Sequence, residues 1–325
     1  MSARLGECNE STGYVLRRDP DRRPGWLKRL LRRGPKSYSF RLHERDEAGA
    51  RILSEMHDRG INLVANALAQ STEHVLNFFL VLRVELAFYI GCVNLADRLD
   101  ALRVTRCFPQ PRPCPSQSGQ LRFEGLRDPC LALTLGRDVV GNDVDADGRQ
   151  LVIVTGANQG GKSSFLRSVG VAQLMMQAGM YVAAGSFEAE LRTGVFTHYK
   201  REEDATLSGG KLDEELARVD VIAAAVRPGA MVLFNESFAS TNEREGSEIA
   251  RQVVRGLLEF GVRVVCVTHL YDFAHDVFAQ QRDDTLFLRA NREPDGTRTF
   301  RLVEAEPLAT SYGEDLYREV FGEVR

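Results

Sequence analysis

The stretch whose reading decides the fold is residues 151–164, LVIVTGANQGGKSS, where a short apolar, β-branched run turns directly into a glycine-rich loop ending in Lys-Ser. Gly156, Gly161, Lys162 and Ser163 satisfy the G-x-x-x-x-G-K-[ST] pattern, which reads as a phosphate-binding loop. The chemistry asks for these residue types. Glycines let backbone N–H groups curl around a β-phosphate, Lys162 reaches the β/γ-phosphates as an exposed charge with no role in the core, and the Ser163 hydroxyl ligates magnesium. A helix predicted from about residue 162 to 178 points the positive end of its dipole at the same anion. A phosphate chain with Mg²⁺ is the expected ligand of this loop, held by Gly156, Ala157, Asn158, Gln159, Gly160, Gly161, Lys162, Ser163 and Ser164.

Downstream of the loop, strand and helix alternate. Strands are predicted at 180–184, 194–199, 230–234 and 262–268, and helices at 211–226 and 243–260. Such alternation implies a parallel sheet with helices on its faces and the ligand at the carboxyl ends of the strands. Residues 285–290 and 299–303, separated by Pro294-Asp295-Gly296, predict a closing antiparallel pair. Upstream, 121–125, 131–135 and 138–144 read as short strands leading into the central one.

Two strand tips carry polar residues. Residues 231–236, MVLFNE, end where a phosphate-loop enzyme needs a magnesium-holding acid followed by a carboxylate that polarises water. Glu236 suits the second role. Asn235 stands at the first, where its uncharged amide oxygen orients a hydrated Mg²⁺ but attracts it less; the metal set is Ser163, Asn235 and Glu236. His269 ends the apolar run 264–268 and is placed to hydrogen-bond a γ-phosphate or its water, as a second catalytic residue beside Glu236. Ser208, Gly209 and Gly210, in the LSGGK that opens a predicted helix, form a candidate second anion nest. Each has a plainer reading: a capping Asn, a structural His, a flexible loop.

Taken together, these segments resemble the MutS family of DNA-repair ATPases, relatives of the ABC-type ATPases, over roughly residues 123–322. TGANQGGKSS at 155–164 is similar to the family's TGPNMGGKST, Val182-Ala183-Ala184 to its V-P-A, Val267-Thr268-His269 to its A-T-H, and Ser311-Tyr312-Gly313 to its S-Y-G. Arg127-Asp128-Pro129 and Asn142-Asp143 are similar to its R-H-P and P-N-D, the latter near the adenine in relatives, which adds Asn142 to the nucleotide set. The resemblance implies an α/β fold: a P-loop ABC-type ATPase domain with a mostly parallel sheet, preceded by an α-helical domain. It also implies ATP hydrolysis at composite sites in a homodimer, each completed by the partner's 207–211 loop, and action on DNA. Departures are Asn235-Glu236 for the family's Asp-Glu and Gly210 to Leu216 for its S-T-F-M-V-E-M. Mismatch recognition is not expected to carry over, since the stretch ahead of the ATPase is too short for the family's amino-terminal recognition domains.

The remaining sequence bounds this reading. Of 325 residues with net charge −3, residues 1–45 carry twelve Lys/Arg against five Asp/Glu. Hence 1–42 is expected to be a basic, flexible arm that is solvated, contacts nucleic-acid phosphates or an acidic membrane surface, or folds back on the acidic remainder of the chain. Residues 43–108 contain no proline and show helical spacing, predicting two or three packed helices. Residues 75–96 are apolar enough to suggest a membrane span, but Arg83 and Glu85 would each cost about 2.5–3.5 kcal/mol there, so a core helix is expected and no span. The proline-dense 109–120 reads as a linker, and 121–325 as the ATPase domain. Six cysteines without a C-x-x-C suggest a reducing cytoplasm and no zinc site. Two other readings stay open: a nucleotide-gated binding module that scarcely hydrolyses, and another ABC-type ATPase. About 45 residues between Lys162 and Ser208 leave no room for a transporter's added helical subdomain.

Overall fold

The computed structural model describes residues 2–5, 11–15, 46–114, 119–200, 210–293 and 295–309, the first two segments as backbone only. The chain divides at Ile90/Gly91 into two units.

In the first unit, β1 (Ser2–Leu5) pairs antiparallel with β2 (Ser11–Val15), inside the stretch read as an arm. The region read as two or three helices is a single helix, α1 (Glu47–Ala101). No proline interrupts it, and Gly60 and Gly91 lie within it without ending it, so nothing in the sequence supplies a turn. Its 55 residues span about 80 Å at ~1.5 Å per residue. The expected core helix is not buried: Phe78, Phe79 and Val84 are 62%, 59% and 68% exposed. By length and composition α1 could cross a membrane.

In the second unit α1 ends on the core: Ala96 and Leu99 are buried, and the Tyr181 hydroxyl donates to the Cys92 carbonyl at 2.6 Å. Then come β3 (Gln110–Arg112), β4 (Leu121–Leu126), α2 (Pro129–Leu135), β5 (Asn142–Asp145), β6 (Leu151–Gly156), α3 (Lys162–Gln177) and β7 (Ser186–Glu190). They are followed by β8 (Val195–Tyr199), α4 (Lys211–Ala225), β9 (Met231–Asn235), α5 (Glu243–Glu259), β10 (Arg263–Val267), α6 (Tyr271–Ala279), β11 (Thr285–Arg292) and β12 (Arg298–Glu304). The class is mixed α/β. One sheet runs β12-β11-β6-β10-β9-β8, with β11, β6, β10, β9 and β8 parallel and β12 antiparallel to β11; a second runs β3-β7-β4-β5.

Side-chain alternation divides the large sheet between two cores. Val152 and Val154 of β6, Met231 and Leu233 of β9, and Val265 and Val267 of β10 meet Phe165, Leu166 and Val169 of α3 on one face. Leu151, Ile153, Val232, Phe234 and Val264 meet Val254 and Leu257 of α5 and Phe273 of α6 on the other. Strands buried on both faces read as continuous apolar runs for this reason.

Several local expectations are corrected. Residues 131–135 are helix, not strand: Asp128 caps the Cys130 and Leu131 N–H groups, Pro129 sits at the first turn, and Gly136 closes the helix at φ 63. Only the end of 138–144 is strand. Residues 180–184 carry a lone Cys107–Val182 bridge, and the strand comes later as β7. The linker contributes β3, whose Pro111 is tolerated because β3 is an edge strand.

Candidate functional site

The site grows from the end of β6. Gly156 has φ +107, and a Cβ there would lie 2.9 Å from the Ala290 nitrogen of β11, so only glycine lets the chain turn beside its neighbour. Gly161, left-handed at φ 88, caps α3, leaving first-turn N–H groups to face the cavity.

Lys162 is not the exposed charge its motif suggests. It is 4% exposed, and its ammonium donates to the Gly156 and Ala157 carbonyls at 2.9 and 2.8 Å. Burial pushes its pKa down to about 8, opposed by the Glu236 charge and aided by that of Arg298. Arg298 braces the loop from β12, donating to the Asn158 carbonyl at 3.1 Å.

Parallel pairing brings the β9 and β10 tips beside this loop. The Ser163 hydroxyl donates to the Asn235 amide oxygen at 3.0 Å, and His269 Nε2 lies 2.7 Å from Glu236 Oε1. The hydrogen bond from His269 holds the Glu236 carboxyl below the usual range, against the effect of burial. With that carboxylate as acceptor, Nε2 carries the proton. Ser163, Asn235 and Glu236 offer only oxygen, the hard donor set Mg²⁺ takes alongside phosphate oxygens, but a single full charge.

A cavity of about 650 Å³ opens over these groups. Asn158, Gln159, Gly160, Gly161, Lys162, Ser163, Ser164 and Glu236 line one side, and Leu126, Leu131, Leu135, Val139, Val140 and Phe300 give an apolar wall. Gly156, Ala157, Asn235 and His269 are not among the lining residues, and neither is Gly210, the N-cap of α4. Ser208 and Gly209 lie outside the described residues. Asn142 lines the cavity, but its amide accepts from Leu302 N at 2.7 Å and donates to the Phe300 carbonyl at 3.3 Å, so it ties β5 to β12.

Sequence reasoning missed the apolar wall and Phe300. Only the capping pattern Asp128-Pro129 could have exposed α2 as a helix. Asp128 also accepts from Arg167 Nε of α3 at 2.6 Å, fixing that wall to the helix behind the loop.

Comparison with known proteins gives the family of the chain. The family described as MutS domain V matches residues 152–319, more than half of the chain, and the MutS2 N-terminal domain matches 1–102, which spans both the basic stretch and α1. A DNA mismatch repair protein MutS of Chloroflexus aurantiacus is 31% identical over 202 residues, 60% of this chain and 20% of that protein. Two proteins named endonuclease MutS2, from Carboxydothermus hydrogenoformans and Brevibacillus brevis, are each 27% identical over 69% and 73% of this chain and 27% and 28% of their own. The chain thus spans between a fifth and under a third of the length of these relatives. On the domain V match above all, the chain belongs to the MutS family.

Proposed function

We propose that the cavity binds ATP with Mg²⁺ and that the protein hydrolyses it as a dimer acting on DNA. The observation that carries this reading is the convergence of the Lys162 ammonium, the Ser163–Asn235 pair and the Glu236–His269 pair at one helix N-terminus. Incoming phosphates replace the two carbonyls that hold the ammonium, so Lys162 exchanges one set of oxygen acceptors for another of greater charge. Glu236, kept ionised, accepts a hydrogen bond from the attacking water and orients it, while His269 holds the carboxylate. Ser163 and Asn235 would hold Mg²⁺, which supplies charge neutralisation at the phosphate oxygens. The apolar wall with Phe300 suits the flat face of a base.

Action on DNA rests on the family membership and the excess of basic residues in 1–45. Dimerisation rests on the position of Gly210, outside the cavity of its own chain. The uncharged Asn235 favours a second reading, a nucleotide-gated binding module with slow hydrolysis. Single-turnover phosphate release separates the two. The leading reading expects measurable release by the wild type, loss of release in Glu236→Gln, and an ATP-bound dimer of that variant in sedimentation. Anisotropy with single-stranded, duplex, mismatched and branched DNA across salt tests the DNA arm; binding insensitive to ATP and DNA type would remove it.

A further inference from the structure

Behind the cavity, the segment that follows Glu236 is held in an unfavourable backbone conformation by α4. Glu236 and Phe238 both have positive φ, 54° and 65°, which residues other than glycine adopt only when their surroundings impose it. Those surroundings are specific. The Phe238 N–H donates to Glu215 Oε2 at 3.1 Å, a carboxylate on α4 that is 3% exposed. His198 of β8, 1% exposed, has Nδ1 at 2.6 Å from Ser237 Oγ and Nε2 at 3.3 Å from the Glu215 carbonyl, while Ser237 Oγ donates to the His198 carbonyl at 3.1 Å. The His198 ring stacks on Phe238 at 5.9 Å. On the other side Gly246 of α5 lies so close that a Cβ there would run into the Phe238 carbonyl. The turn is therefore wedged between two helices, and α4 supplies the carboxylate that holds its backbone.

We infer that Glu215 and His198 are positioning residues for Glu236, so that the place of α4 sets the place of the carboxylate. The inference rests on the hydrolytic reading above and goes beyond it by assigning the buried polar cluster a role in that reaction. Glu215 lies in the second turn of α4, so the hydrogen bond from the Phe238 N–H ties the turn that carries Glu236 to the amino-terminal half of that helix. Neither Glu215 nor His198 lines the cavity, so both act through the backbone of the turn.

The test compares Glu215→Ala, Glu215→Gln and Ser237→Ala with wild type by equilibrium binding of a fluorescent ATP analogue, single-turnover phosphate release from ATP, and thermal melting. A misplaced carboxylate leaves affinity within about twofold and slows release by about tenfold or more in Glu215→Ala. Glu215→Gln, whose amide oxygen still accepts from Phe238 N–H, recovers most of the rate, and Ser237→Ala slows release to a smaller degree. A folded Glu215→Ala that releases phosphate like wild type overturns the inference, as does a loss confined to affinity or one Gln does not rescue. If Glu215→Ala does not fold, an unchanged rate in Ser237→Ala overturns it. Wild type that binds ATP but releases no phosphate removes the hydrolytic reading and this role together, whereas wild-type release with unaffected variants removes this role alone.

Discussion

Two apolar stretches of this protein meet opposite fates. Along β6, β9 and β10 nearly every side chain is buried, whereas between Val75 and Ile90 of α1 most of the equally apolar side chains, Leu82 excepted, remain about half exposed or more. In the strands, alternate residues point to opposite faces, and a helix layer waits on each face. In the helix, Val75, Leu76, Phe78, Phe79, Leu80, Val81 and Val84 point all round the axis, so no single neighbouring layer within the described residues could cover them. Burial is a property of the covering layer, not of the side chain, which is why hydropathy alone misplaced α1.

The chemistry sits on the buried side of this comparison, and the largest expected effect is there. Lys162→Ala should lower ATP affinity by about 100-fold or more in calorimetry, since it removes the cation at the head of α3 while the loop's glycines stay. Unchanged affinity would separate the buried loop from nucleotide binding altogether.

The contrast itself is tested by truncating one side chain on each side. Leu166, fully buried under the sheet, should cost about 2–5 kcal/mol as Leu166→Ala. Phe79→Ala should stay within about 0.5 kcal/mol in the same denaturant titration. A comparable loss at Phe79 would mean that α1 is covered in solution.

A smaller effect follows from pH. The Lys162 pKa is depressed from 10.5 to about 8, so between those values the unfolded chain binds more protons than the folded one and this group makes stability rise with pH. ATP needs the charged form, so affinity should fall as pH rises through about 8, with proton uptake on binding seen as a buffer-dependent enthalpy. A flat profile between pH 7 and 9 would place the ammonium in water instead.

Smallest is Asn235→Asp, which adds a charge beside Ser163 and should tighten Mg²⁺ binding several-fold in a titration monitored without turnover. Weaker binding would mean that the amide is an adaptation of this site.

How much of this was legible depended on how local the signal was. Residues 156–163 carried their own geometry, because the glycines and the Lys-Ser end fit one kind of turn. The antiparallel β11–β12 pair announced itself by Pro294-Asp295-Gly296. Short elements were harder. In α2, seven residues are too few for a helical period to show, so the apolar run 131–135 passed as a strand although Asp128-Pro129 marked a helix start. The nine-residue α6 escaped notice for the same reason and lacks a side-chain cap.

By itself, then, the sequence determined the α/β class, the strand–loop–helix at 151–177 and the residue types at its mouth, because backbone geometry and side-chain period act over a few residues. Tertiary structure alone decided that Lys162 is buried against Gly156 and Ala157, that Asn142 is engaged by β12, that His269 pairs with Glu236 and that α1 runs unbroken, its middle exposed among the described residues. Those outcomes depend on which distant segments meet and how much water they exclude, and no window of sequence contains both partners.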